Sequence, residues 1–230
     1  MAAAQESPDY AADDLDALVI GVLGGTGEEG RGLARRLAMA GSRVIIGSRD
    51  AGRAVTAAAS IGRPPRLTGA ANEDAARAAD IVIAAMRWEG HRDLLASLAG
   101  VLDGKILIDC VNPLGFDERG AYPLHVDEGS AAQQAAALLP ATRVVGAFHH
   151  VPAAALLDPE VADVDMDVLV LGDDRQATDL VQALASRIPG MRGVYAGRLR
   201  NCGQVEALTA NLVSVNRRYK AHAGLRITDI

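Results

Sequence analysis

Residues 17–50, ALVIGVLGGTGEEGRGLARRLAMAGSRVIIGSRD, decide the fold. An apolar, β-branched run at 17–23 meets a glycine-rich turn. A helical Ala/Leu pattern follows at 28–40, then a second apolar run at 43–47. Gly25, Gly27 and Gly30 satisfy G-x-G-x-x-G between strand and helix. In that setting the first glycine permits a tight turn, the second lets backbone approach a pyrophosphate, and the third lets helix pack on strand. The first helical N–H groups then face the phosphates. The pattern predicts a dinucleotide-binding βαβ unit and assigns the whole loop, Gly25, Thr26, Gly27, Glu28, Glu29 and Gly30, to cofactor binding. The Glu28 and Glu29 carboxylates suit a helix N-terminus but not a neighbouring pyrophosphate, so their side chains are expected to face solvent.

The second strand ends in Gly47-Ser48-Arg49-Asp50, and Arg53 follows. A site selecting NAD places an acid at this tip to accept the ribose 2′-hydroxyl. A hydroxyl and a guanidinium suit a 2′-phosphate instead. Ser48, Arg49 and Arg53 therefore point to NADP(H), with Arg49 and Arg53 on one face if the next helix starts at Asp50. Asp50 as the ribose acceptor would sit two residues late. Exposed arginines without a ligand are the remaining reading.

Outward from this unit the alternation continues. Strand-like runs lie at 66–68, 81–85, 105–109, 143–148, 167–171 and 192–196. Helical patterns lie at 51–60, 72–78, 89–99, 128–138, 174–187 and 204–223. Strands apolar on both faces and separated by helices imply an α/β fold, a Rossmann-like, doubly wound, mostly parallel sheet. Residues 1–15 are expected to be a disordered acidic tail, 16–150 the NADP-binding domain, and 151–230 a smaller C-terminal part completing the sheet. Segments 61–66, 110–124 and 149–160 are read as loops, the last two placed where such folds bind ligands.

Composition excludes several classes. Aromatics are only 3%, which argues against stacking of single-stranded nucleic acid. Two cysteines, Cys110 and Cys202, make neither a disulfide framework nor a zinc site and fit a reducing, cytoplasmic setting. No apolar run reaches the ~18 residues of a membrane span. The first 18 residues carry five acidic and no basic side chains, unlike a secretory signal. Net charge is −6, yet residues 187–230 hold eight basic against two acidic residues. Such a basic end either holds an anionic small molecule or is a solvated helix face. No tyrosine precedes a lysine by four residues, so the acid pair of short-chain reductases is missing. No metal-ligand spacing and no G-x-S-x-G elbow occur. Little proton-transfer machinery remains, which suits hydride transfer between two cofactors aligned by the protein.

Six stretches together resemble F420-dependent NADP reductases. They are 19–50 quoted above, RWEGH (87–91), DCVNPLGFD (109–117), VGAFHHVPAA (145–154), SRIPGMRGVYAGRLRN (186–201) and VNRRYKAHAGLRITD (215–229). The resemblance covers about 17–230. It implies reversible hydride transfer between NADP(H) and the deazaflavin coenzyme F420, a metal-free homodimer, and no catalytic acid or base. It places NADP on Thr26, Gly27, Ser48, Arg49 and Arg53. Trp88, Asn112 and Pro113 would line the dinucleotide cleft. His149, Val151 and Ala153 would face the meeting point of the two cofactors. Arg217 and Arg218 would flank the F420 side. Arg87 departs from the proline that many of these reductases carry before the tryptophan. Competing readings are an NADPH-dependent reductase of another small acceptor such as a flavin, and a non-catalytic NADP(H) sensor.

Overall fold

The computed structural model describes residues 15–62 and 64–230. The chain begins with β1 (Val19–Leu23), α1 (Glu28–Met39), β2 (Arg43–Ser48), α2 (Ala51–Ser60), β3 (Leu67–Ala71) and α3 (Asn72–Ala78). It crosses back to β4 (Ile81–Ala84), a 3₁₀ turn at Trp88–Gly90, then α4 (His91–Ser97), α5 (Ala99–Leu102) and β5 (Ile106–Asp109). A hairpin, β6 (Leu114–Asp117) and β7 (Gly120–Pro123), precedes α6 (Ala131–Leu138) and β8 (Arg143–Gly146). The rest is α7 (Ala153–Leu157), β9 (Met166–Gly172), α8 (Arg175–Ser186), β10 (Met191–Gly197) and α9 (Cys202–Tyr219).

Among the described residues, eight strands form one sheet in the order β10-β9-β8-β5-β4-β1-β2-β3. The six from β3 to β8 are parallel. β9 pairs antiparallel with β8, and β10 runs parallel to β9. Alternate side chains explain why the sheet is covered on both faces. Ile81 and Ile83 of β4 join one apolar layer with Leu33 and Leu37 of α1. Val82 and Ala84 join the other with Leu95 of α4 and Ala132 of α6. Strand order reverses between β1 and β4, so the crevice at their carboxyl ends is the expected ligand site.

Three expectations change. Segment 110–124 is not a plain loop, because 114–123 forms the β6–β7 hairpin. Its turn is fixed by Asp117, whose Oδ1 accepts from the N–H groups of Arg119 and Gly120. Segment 149–160 contains α7. Leu15, assigned to the tail, is buried in the core; residues 1–14 of that tail lie outside the described residues.

A buried cation ties α1 to the far half of the chain. The Arg36 guanidinium donates to the carbonyls of Ala155 (2.8 Å), Leu156 (2.8 Å), Asp158 (3.1 Å), Val161 (2.7 Å) and Ala162 (3.2 Å). This clamp fixes the segment that follows the His149–Val151 turn.

Candidate functional site

The glycine loop lies at the strand-order reversal. Gly24, not Gly25, makes the turn: its φ is +65°, and a Cβ there would meet Met86 Cβ at 2.7 Å. Gly30 is needed for close packing, since a Cβ would lie 2.6 Å from Gly25 Cα. Gly25 N–H donates to Gly47 O at 3.0 Å, joining the loop to the tip of β2. Gly27 is the exposed N-cap of α1 and brings no capping side chain. The first-turn N–H groups of α1 are therefore open to an anion.

Beside the loop runs an open groove of about 560 Å³ lined by Thr26, Arg31, Asp50, Arg53 and Thr56. The structure thus brings Thr26 and Arg53 together. Ser48 is buried, and its Oγ accepts from Asp50 N–H at 3.3 Å. Asp50 is the N-cap of α2, accepting from Arg53 N–H at 3.1 Å, a local structural role rather than that of a ribose acceptor. Because α2 starts at Ala51, Arg49 precedes the cap, and the shared helical face with Arg53 does not form. Arg49 is exposed at the strand tip. Arg31 was not anticipated. A cation in the early turns of α1 runs against the helix dipole, and that anomaly was the available signal.

Glu28 is exposed, as expected, but Glu29 is not. Its residue is half-buried with the carboxyl end enclosed, and Oε1 has no hydrogen-bond partner. Burial, then the charge of Asp109, push this carboxyl up to about 8. Glu29 is therefore neutral at pH 7 and puts no charge beside a pyrophosphate.

The opposite wall comes from the carboxyl ends of β5 and β8. Asn112 Nδ2 donates to His149 O at 2.7 Å, and Thr209 of α9 donates to the same carbonyl at 3.1 Å. Asn112 and His149 are thus brought together, and Thr209 is an unanticipated third member. Pro113 and Val151 are buried; Ala153, the first residue of α7, is half-buried. Phe148 turns the chain with a φ of 64°, costly for a non-glycine residue, and directs His149 and His150 inward. Burial pushes the His149 titration down to about 4, against the opposing pull of Asp109 and the Cys110 and Val111 backbone. Its imidazole is neutral, a wall rather than a charge. Trp88 is half-buried in its 3₁₀ turn, its ring centroid 5.5 Å from that of His91.

Both thiols are inert. Cys110 donates to Ala84 O at 3.0 Å, and burial raises both Cys110 and Cys202 well above the usual thiol range. The basic end of the chain is partly spoken for. Arg187 pairs with Asp16, Arg192 with Asp167 (2.8 Å), Arg198 with Asp173 (3.8 Å), and Arg226 with Asp165 and Asp167. Arg192 and Arg198 therefore do not carry the excess charge read from the sequence. Arg217 and Arg218 are exposed on the last turn of α9, about 12 Å along its axis from Thr209.

The family model for coenzyme F420-dependent NADP oxidoreductases matches residues 19–113. The F420-dependent NADP reductase of Methanothermobacter marburgensis is 40% identical over 92% of this chain and 98% of its own. The chain belongs to the F420-dependent NADP reductase family. The reductase of Methanothermobacter thermautotrophicus agrees, at 41% identity over 92% of this chain and 95% of its own. A crystal structure described as a candidate F420-dependent NADP reductase from Arthrobacter sp. FB24 superposes with a TM-score of 0.79 at 27% identity, covering 92% of this chain and all of that one. The Rossmann-like fold, the oxidoreductase class and the cofactor pair NADP(H) and F420 follow for this F420-dependent NADP reductase family member. Its glycine loop, open α1 N-terminus and cationic groove fit the dinucleotide.

Proposed function

We propose that the chain exchanges hydride reversibly between NADP(H) and F420 by holding both in the cleft at the carboxyl ends of β1, β4, β5 and β8. The observation that carries this reading is the pairing of an uncapped α1 N-terminus with a groove lined by Arg31 and Arg53. The cofactors supply the redox chemistry; the chain binds, orients and excludes water. Gly25, Thr26, Gly27 and Gly30, with the backbone of Glu28 and Glu29, bind the pyrophosphate. Ser48, Arg49 and Arg53 take the 2′-phosphate. Trp88, Asn112 and Pro113 line the dinucleotide side, and His149, Val151 and Ala153 the meeting point. Arg217 and Arg218 serve the anionic tail of F420. In this reading residues 16–150 hold NADP, and 151–230 complete the sheet and the F420 side.

The neutral His149 supports a site in which the protein moves no proton during hydride exchange. The described residues hold no helix long and apolar enough to cross a membrane, and two buried free thiols support a cytoplasmic setting. The hairpin exposes Phe116 on one face and Tyr122 on the other, and α9 exposes Tyr219, apolar side chains available to a second copy. A homodimer is accordingly part of this reading, and sedimentation should return the mass of two chains.

The test mixes the protein with NADPH and oxidised F420 and follows the deazaflavin absorbance. Bleaching at catalytic protein concentration is expected. NADPH binding without turnover would replace this reading with a sensor. Turnover of a flavin but not F420 would replace it with another reductase.

A further inference from the structure

His91 lies beneath the site with no solvent exposure, and both of its ring nitrogens have partners. Its Nε2 is 2.7 Å from Asp109 Oδ2, and Asp109 is equally buried. Its Nδ1 is 3.1 Å from Gln134 Oε1. The Gln134 amide sits with its Nε2 donating to Glu128 Oε2 at 3.1 Å; that hydrogen bond first, and the pairing with Arg92 after it, hold Glu128 as a carboxylate, against which a reversed amide would set its oxygen. Both ring nitrogens of His91 therefore face acceptors, and both must carry protons.

The ring reaches both walls of the cleft, one directly and the other through Asp109. On one side the indole of Trp88 lies 5.5 Å away at 31°, within reach of a cation–π contact. On the other, Asp109 Oδ1 accepts from Val111 N–H at 3.0 Å. Val111 precedes Asn112, which holds the His149 carbonyl. We propose that His91 is a buried imidazolium acting as a positioning residue, holding the Trp88 turn directly and the Val111–Asn112 turn through Asp109, so that NADPH binds well only while the ring is charged.

The groups facing His91 are Asp109 from β5, Gln134 from α6 with Glu128 behind it, and Glu206 from α9. Burial opposes the charge, but the Asp109 carboxylate and the two hydrogen bonds outweigh it, so the ring titrates above the ordinary histidine range. Glu206 accepts from Ala131 and Ala132 N–H and is pushed by burial to about 7. It and Glu29 titrate in the neutral-to-alkaline range and need separate controls.

Trp88 is the only tryptophan, so its emission reads this place alone. An imidazolium against an indole quenches it. At about pH 6, wild-type emission should be weaker than that of His91→Gln. In Asp109→Asn the quenching should be lost at a pH roughly 1–3 units lower than in wild type. Glu29→Gln should keep the wild-type emission profile, and Glu206→Gln should move the loss of quenching to lower pH by less than Asp109→Asn does. The KM for NADPH should rise several-fold as quenching is lost, with kcat nearly unchanged. His91→Gln should show the high KM throughout. Equal emission of wild type and His91→Gln at about pH 6 would mean a neutral ring and overturn the proposal. A KM indifferent to the loss of quenching would make His91 merely structural and overturn it too. If His91→Gln does not fold, Asp109→Asn and the wild-type titration decide between the same outcomes. The proposal rests on the functional reading only for NADPH as occupant. Direct NADPH binding that follows Trp88 emission without F420 turnover would sink that reading and leave this one standing. Turnover with NADPH binding blind to the emission would do the reverse.

Discussion

Glu29 sits where the helix dipole favours a negative charge and a bound pyrophosphate does not. Burial settles the conflict by keeping the proton on. Folding raises its titration from 4.5 to about 8. The folded state therefore binds the extra proton, and stability is lost as pH rises between those values. Glu29→Gln should raise Tm by an amount that grows from about pH 4.5 and levels off above about 8; a gain independent of pH would contradict this. The arginines of the groove give a second residue-level expectation. Arg53 lines the groove, and Arg49 stands exposed at the tip of β2, next to Asp50 of the groove lining. Removing a charge-assisted phosphate contact costs about 1.5–3 kcal/mol. Arg49→Ala and Arg53→Ala should each raise the KM for NADPH and leave that for NADH nearly unchanged, Arg53→Ala by more. Equal losses for both cofactors would refute a 2′-phosphate role.

Among the elements, α1 does two jobs. Its N-terminus opens onto the glycine loop, and Arg36 near its other end gathers five carbonyls from 155–162. Arg36→Met would leave those acceptors, other than the Leu156 carbonyl that Arg35 also reaches, without a donor, at about 1–3 kcal/mol for each left buried, lowering Tm by roughly 5 °C or more. Arg36→Lys should recover part of the loss; a Tm unchanged in both variants would show that water replaces the clamp. Elements with strong patterns were legible: α2 and α3 fall on the predicted 51–60 and 72–78 because Ala-rich periodicity and clear boundaries agree. The hairpin was not, because LGFD and GAYP lack β-branched residues, and its evidence lies in the Asp117 turn and Gly120. Five-residue α7 is too short to show a period. At the site, Thr26 and Arg53 could be read from the glycine loop and the tip of β2, while Asn112 and His149 came from the family resemblance of their stretches. His91, Asp109 and Gln134 could not, since three elements far apart in sequence supply them.

At the scale of the molecule, charge is distributed differently from what counting suggests. Four arginines of the basic end are matched by aspartates; Arg217 and Arg218 are exposed. Neutralising both should raise the KM for F420 and weaken its salt dependence, while a deazaflavin lacking phosphate and glutamates is unaffected. Equal effects on both substrates would assign these arginines to the fold. Acid sensitivity follows from His149 and His150, both pushed by burial down to about 4. Unfolding lets them take up protons, so their contribution is present above about 6.5 and lost as pH falls toward 4. The carboxyls of Glu29 and Glu206 act in the opposite sense over part of that range, so the difference between wild type and His149→Asn isolates the histidine. That difference in urea midpoint should shrink on acidification.

The clamp also has a timetable. Arg36 leaves the ribosome 120 residues before Leu156, its central acceptor. At 5–20 residues per second the wait is roughly 6–24 s. Throughout it, β1, α1 and β2 can assemble, but the face of α1 that packs on α7 has nothing to cover it. A chaperone that shields exposed apolar surface would find its substrate in that interval, and nascent chains stalled before residue 155 has left the ribosome should be more prone to aggregate than those stalled once residue 162 has left it.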